Sequence, residues 1–279
     1  MGAGGHSLTS KSLTAPRRDA APKGVRHCAT RAPEGRNVVP EIVDAVTSFG
    51  SYPGKQVDWS LEALLGILQE NGVDRALSLS LKGVYYDFEE GNDETLAVSR
   101  EHPVIVPVAT IDPRRHLGCI DEVGRRAEQG FRVFRFFPTE QGWPWDFLPF
   151  RNLLRELAKY DVRLMLPVAG NGAITALFDP LEAHAPGVRT LLTGVTYSNL
   201  AELLAALEAT DRLYTDVHMM DSPNALELIA DEVGVERIIF GSNSPEREFR
   251  SALNVVTYAS LSEADKRKVL AKNVEAFLA

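Results

Sequence analysis

Asp216, Val217 and His218 set a carboxylate and an imidazole two residues apart. Side chains alternate along an extended chain, so the two can share a face. A carboxylate beside an imidazole raises its pKa and orients the ring as a general base. The competing reading is that Asp216 caps a loop and His218 is a solvated side chain. Arg135 stands two residues before Phe137 in an apolar run, so if Phe137 points inward, Arg135 does too. A buried guanidinium needs an anion, because an unpaired buried charge is costly. It reads either as an anchor for a substrate carboxylate or phosphate, or as half of an internal ion pair with Asp216, Asp44 or Glu246. Ser48 can be a nucleophile only with a base in reach, and no G-x-S-x-G elbow surrounds it. The plainer reading of Ser48 is a small residue filling space.

Aromatic residues accompany these groups. Gly142-Trp143-Pro144-Trp145-Asp146 and Tyr85-Tyr86-Asp87-Phe88 each follow a strand-like run, and Tyr197 follows Thr190–Thr193. They could wall a planar or apolar ligand, or pack a subunit interface, where such residues are enriched.

These side chains must be held by a regular scaffold. β-rich runs are read at Ile42–Thr47, Ala76–Leu81, Ile105–Ala109, Arg132–Phe136, Arg163–Leu166, Thr190–Thr193, Leu213–Asp216 and Arg237–Phe240. Amphipathic stretches separate them. Leu61, Leu64, Leu65 and Leu68 share one helical face, as do Leu153, Leu154, Leu157 and Ala158, and Leu200, Leu203, Leu204 and Leu207. Eight βα units over residues 38–279 predict a TIM (β/α)8 barrel, with chemistry at the C-terminal ends of the strands. A doubly wound open sheet competes, but no G-x-G-x-x-G follows the first strand. Ser262-Glu263-Ala264-Asp265 predicts a capped start for the last helix.

The 279 residues are 44% hydrophobic, enough for one large core or two small ones, with a net charge of −8. Residues 1–37 carry seven Lys and Arg against two acids and lack an apolar period, so a disordered tail is expected. Their Ser- and Arg-rich composition also admits a transit-peptide reading. The acidic balance gives no support to nucleic-acid binding. No apolar run approaches the roughly 20 residues that span a bilayer. Cys28 and Cys119 form no disulfide framework and no Cys-x-x-Cys occurs, which suits a reducing, cytoplasmic setting.

Four segments, in order, resemble the amidohydrolase superfamily. They are Asn71-Gly72-Val73-Asp74-Arg75-Ala76, Val108-Ala109-Thr110-Ile111-Asp112-Pro113, Gly130 to Pro138 (GFRVFRFFP) and Arg237 to Pro245 (RIIFGSNSP). The terminal Leu261–Leu278 stretch, with Asn273, fits as well. The resemblance implies a TIM barrel whose site is built around a divalent ion. The ligand positions it implies, however, carry Val46, Ser48, Phe137, Pro167, Gly194 and Asn243. Valine, phenylalanine, proline and glycine side chains cannot ligate a metal, and Ser48 and Asn243 offer weak neutral oxygens. Of six histidines, only His116 and His218 follow strands at the expected mouth.

The expectation is therefore a protein with no bound metal and no cofactor. It would be a metal-independent hydrolase or lyase for a small acidic molecule, with His218 and Asp216 catalytic. Arg135, Ser48, Asn243, Trp143 and Tyr197 would line the substrate site. The alternatives are a catalytically inactive small-molecule binder or partner subunit, and a metal hydrolase that uses His116, His218 and Asp216. Small anionic molecules are the expected partners, and a homo-oligomer is compatible with the aromatic loops.

Overall fold

A computed structural model describes residues 41–54 and 56–279. The expectation for residues 1–37 lies outside this range. Eight parallel strands run in sequence order: β1 Val43–Asp44, β2 Arg75–Ser78, β3 Ile105–Ala109, β4 Val133–Arg135, β5 Arg163–Pro167, β6 Thr190–Thr193, β7 Leu213–Asp216 and β8 Ile238–Ile239. Each pairs with the next in parallel register, for example Arg135 with Met165 and Pro167 with Thr193. The first and last strands meet through backbone bonds from Ala45 N to Phe240 O (2.9 Å) and from Asn243 N to Val46 O (2.8 Å), and through a parallel bridge between Thr47 and Ser244. The sheet thus closes on itself, as the barrel reading expects.

Alternation along the strands separates two apolar clusters. Ile42, Ala76, Phe134, Leu164, Leu192 and Ile238 belong to one, shared with Leu64, Leu68, Leu153, Leu154, Leu157, Leu203 and Leu207 of the flanking helices. Val43, Leu77, Val133, Met165, Leu191 and Ile239 belong to the other. The helical stripes read from the sequence are therefore the faces that pack on the sheet, except that Ala158 at the end of its helix is exposed. A sheet buried on both faces explains why its strands read as nearly continuous apolar runs.

Polar clasps fix the ends. Ser262 caps the helix Glu263–Arg267 by accepting from Asp265 N at 3.1 Å. Buried Asn273 donates to Val235 O (2.8 Å) and Ile238 O (2.7 Å), which ties the terminal helix to β8. Arg163 Nε donates to Phe277 O at 2.7 Å. Among the described residues no helix is long and apolar enough to cross a membrane.

Candidate active site at the barrel mouth

Val133 and Arg135 lie on the same face of β4, so the alternation that buries valine also turns Arg135 inward. Arg135 is 7% exposed and lines a cavity of about 120 Å³ with Ser48, Trp59, Tyr85, Phe137, His218 and Asn243, among others. That is smaller than the ~300 Å³ at the low end of drug-sized sites, and close to the ~150 Å³ cavity that accepts a benzene ring. Among the described residues Arg135 forms no ion pair with any carboxylate, so the internal salt bridge to Asp216, Asp44 or Glu246 is not formed. Its Nη2 donates to Asn243 Oδ1 at 3.3 Å and its Nη1 to Thr47 O at 3.5 Å. Both are long beside the 2.7–2.9 Å usual for charge-assisted bonds. Among the described residues its buried Nε has no acceptor. The guanidinium lies over the Phe137 ring, 4.9 Å from its centroid. Burial lowers its pKa, and the charges of Glu140, Asp216, Glu246 and Asp44 oppose that shift.

Asp216 ends β7 fully buried, and its Oδ2 is in close hydrogen-bond contact with His218 Nδ1. Its other oxygen accepts from Gly194 N at 2.9 Å. Gly194 has φ +77°, a left-handed conformation that glycine adopts without cost. A Cβ there would lie 3.7 Å from His218 Cε1 and Nε2, so the imidazole rests over this turn. With Asp216 ionised, Nδ1 carries the shared proton and Nε2 is the basic nitrogen. Asp216 does cap the Gly194 turn, as the plainer reading has it, but His218 is not solvated: its side chain is 8% exposed and held by the other Asp216 oxygen.

Gly241 lets the two ends of the sheet close around these groups. A Cβ at Gly241 would stand 2.6 Å from Val46 Cγ2 and 3.1 Å from Asp216 Oδ2. Asn243 adopts φ +58°, and its Nδ2 donates to Glu246 Oε2 at 3.0 Å while its Oδ1 faces Arg135. Asparagine is among the few non-glycine residues that enter this region readily.

Asp44 ends β1 beneath the cavity. It accepts from Val46 N (3.1 Å), Ser242 N (2.9 Å) and the Ser242 hydroxyl. Burial pushes its pKa up to about 6 against those hydrogen bonds. The folded state therefore holds this proton more tightly than the unfolded chain. The resulting stability is full below about pH 4, fades as pH rises towards about 6, and changes no further above that. Asp44→Asn is expected to flatten the pH dependence of unfolding between pH 4 and 7 by up to about 3 kcal/mol. Urea melts of both proteins across that range check it, and parallel curves would show that Asp44 titrates normally.

The structure brings Ser48, Arg135, His218 and Asn243 to one cavity, with Asp216 directly behind His218. Two expected members lie elsewhere. Trp143 is buried in an aromatic group with Phe136, Trp145, Phe147 and Phe150, and its Nε1 donates to Gln141 Oε1 at 2.9 Å. It lines a separate cavity of about 370 Å³. Tyr197 begins the short helical turn Tyr197–Asn199 and is 76% exposed. His116 is exposed beside Arg114 and Arg115 and does not face the Arg135 cavity. A site built from His116, His218 and Asp216 is therefore not assembled. Trp59 and Tyr85 do line the cavity, tilted against Tyr52 with centroid distances of 5.0 and 4.9 Å. The Tyr85 hydroxyl is held above its ordinary pKa by burial, with the Tyr52 hydroxyl adding to the shift. The sequence reading left Trp59 out.

A family model described as Amidohydrolase matches residues 88–279. The chain belongs to the amidohydrolase family. No curated relative matches this chain by sequence. Among solved structures it is similar to 5-carboxyvanillate decarboxylase from Sphingomonas paucimobilis, with TM-score 0.67, 14% identity, 85% of this chain covered and 98% of that one. It is also similar to 2,6-dihydroxybenzoate decarboxylase from Rhizobium (TM-score 0.65, 12% identity, 86% and 98% covered). A third is dihydroxybenzoic acid decarboxylase from Polaromonas sp. JS666 with bound manganese and the inhibitor 2-nitroresorcinol (TM-score 0.67, 12% identity, 86% and 97% covered). At these identities the likeness speaks for the fold.

The residues of this chain do not fit such an ion. Among the described residues no three His, Cys, Asp or Glu side chains gather as a ligand set. The strand ends instead present Val46, Ser48, Phe137, Pro167, Gly194 and Asn243, with an always-protonated guanidinium in their midst.

Proposed function

We propose that this amidohydrolase-fold protein is a metal-independent hydrolase or lyase that acts on a small acidic molecule. The observation that carries the proposal is Arg135, a buried guanidinium with no ion pair among the described residues and an unpartnered Nε, in the same cavity as His218. A substrate carboxylate supplies the direct charged contact that Glu140 and Glu246, which line the same cavity, do not make with Arg135. His218 Nε2 takes a proton from, or returns one to, the reacting atom, and Asp216 holds the ring in the required tautomer. Asn243 steadies the guanidinium without neutralising it, and Ser48 bounds the site as a small polar wall. Trp143 and Tyr197 have no part in this reading. The acids named for the similar structures, 5-carboxyvanillate and 2,6-dihydroxybenzoate, favour the lyase branch. A cytoplasmic setting belongs to the same proposal.

Thermal-shift titration with small aromatic carboxylates, followed by product analysis, tests the proposal. Benzoate-like acids at 100 times their Kd are expected to stabilise the protein by about 2.7 kcal/mol, while the matching neutral amides have no such effect. At least one acid is expected to be consumed. Stabilisation without turnover by any acid or activated ester would favour a non-catalytic binder. Equal responses to acids and amides would remove the anion site.

A further inference from the structure

The cavity that holds Arg135 carries charge of both signs. Glu140 and Glu246 line it too, from the segments that follow β4 and β8. Both are exposed, whereas Arg135 is buried, so the cation lies deep and the two anions stand on the solvent side. Neither carboxylate pairs with the guanidinium, yet their charges reach it, since both oppose the lowering of its pKa. Both also raise the pKa of the Tyr85 hydroxyl in the same cavity. The protein holds these opposite charges apart. Asn243 separates one pair, donating from Nδ2 to Glu246 Oε2 at 3.0 Å while its Oδ1 accepts from Arg135 Nη2 at 3.3 Å. Glu140 belongs to the short helix Pro138–Gln141. Buried Gln141 anchors that helix by donating to Val84 O at 3.2 Å and accepting from Trp143 Nε1 at 2.9 Å. Among the described residues the Glu140 side chain forms no hydrogen bond or ion pair of its own. Tyr52 and Tyr85 line the same cavity, and tyrosine rings attract organic cations placed over their faces.

We propose that Glu140 and Glu246 make this a zwitterion site: the ligand's carboxylate meets Arg135, and a cationic group on the same molecule meets the two rim carboxylates. This inference rests on the reading of Arg135 as the carboxylate anchor. It narrows the ligand class to a compact acid that also carries an ammonium group. A second anionic group at the rim is repelled, which selects against dicarboxylates.

Benzoate, the three (aminomethyl)benzoates, their N-acetylated forms and the benzenedicarboxylates test this. They share a ring and a carboxylate and differ in the charge of a second group. Calorimetric titration of the full chain is expected to show one aminomethyl isomer binding about fivefold more tightly than its N-acetylated form. The dicarboxylates are expected to bind at least about fivefold more weakly than benzoate. With Glu140→Gln and Glu246→Gln combined, the preference for the ammonium falls within about twofold; a glutamine oxygen at 246 can still accept from Asn243. In the unaltered protein the same preference is expected to shrink as NaCl rises from about 0.02 M to about 0.5 M, because exposed charges are screened. This readout stands even where the double variant folds poorly. Benzoate binding with no preference for any ammonium isomer, or a preference that survives high salt or the folded double variant, overturns the role of the rim and leaves Arg135 standing. Failure of every acid to bind overturns the anchor itself.

Discussion

Arg135→Met is expected to abolish carboxylate binding and to make the protein more stable. Both effects come from one imbalance. The guanidinium is buried, yet its hydrogen bonds are long, its Nε is unpartnered, and no carboxylate among the described residues pairs with it. Stacking on Phe137 returns roughly 0.5–2 kcal/mol. The effective cost of taking an ion out of water is several kcal/mol, so desolvation wins. Methionine keeps the apolar stem and removes the charge, and a gain of about 1–3 kcal/mol is expected by analogy with buried ions replaced by apolar groups. Binding moves the other way. Each hydrogen bond to a charged group is worth about 1.5–3 kcal/mol, so losing two weakens benzoate binding by at least about 100-fold. Urea melts and calorimetric titrations on the same preparations check the pair. A destabilised variant with unchanged affinity would show Arg135 to be a structural member of the core.

Asp216→Asn and His218→Gln are expected to lower kcat by about 10²–10⁴-fold with a KM within a few-fold of the original protein. In Asp216→Asn the new side-chain oxygen can still accept from Gly194 N, so the local fold survives. The new amide then faces His218 Nδ1 as a donor and forces the proton onto Nε2, the nitrogen that must be basic. Substrate affinity persists because Arg135 holds the carboxylate. Steady-state kinetics and the pH profile of kcat/KM decide the matter. A general base loses activity as it is protonated, so the acidic limb of that profile is expected to vanish in His218→Gln. Full activity in that variant would exclude the imidazole as the proton carrier.

The fold was legible because a sheet buried on both sides leaves long apolar runs. Ile105–Ala109, Thr190–Thr193 and Leu213–Asp216 are strands from end to end as read. The strands read at Ile42–Thr47, Ala76–Leu81, Arg132–Phe136 and Arg237–Phe240 are shorter in the structure: Thr47 pairs only through an isolated bridge, and Arg237 belongs to the short helical turn Val235–Arg237. Within the site, the two-residue spacing of Asp216 and His218 and the inward register of Arg135 were visible, because alternation on a strand fixes the face. Position after a strand fixes no direction, which is why Trp143 and Tyr197 were misplaced. Gln141 takes the Trp143 N–H, and Thr196 with Asn199 caps the turn that leaves Tyr197 exposed. Trp59 was missed because the stretch from Ser51 to Ser60 is polar and Pro- and Gly-containing, with no period. Two aromatic rings in such a stretch, Tyr52 and Trp59, were the available signal.

The proposed function stands on a side-chain guanidinium supplying the positive charge at this barrel mouth. Titration of benzoate into protein stripped with EDTA, and into the same protein reloaded with Mn²⁺, tests it most directly. The same Kd is expected in both, with no stoichiometric metal retained. Binding that appears only after reloading would contradict it.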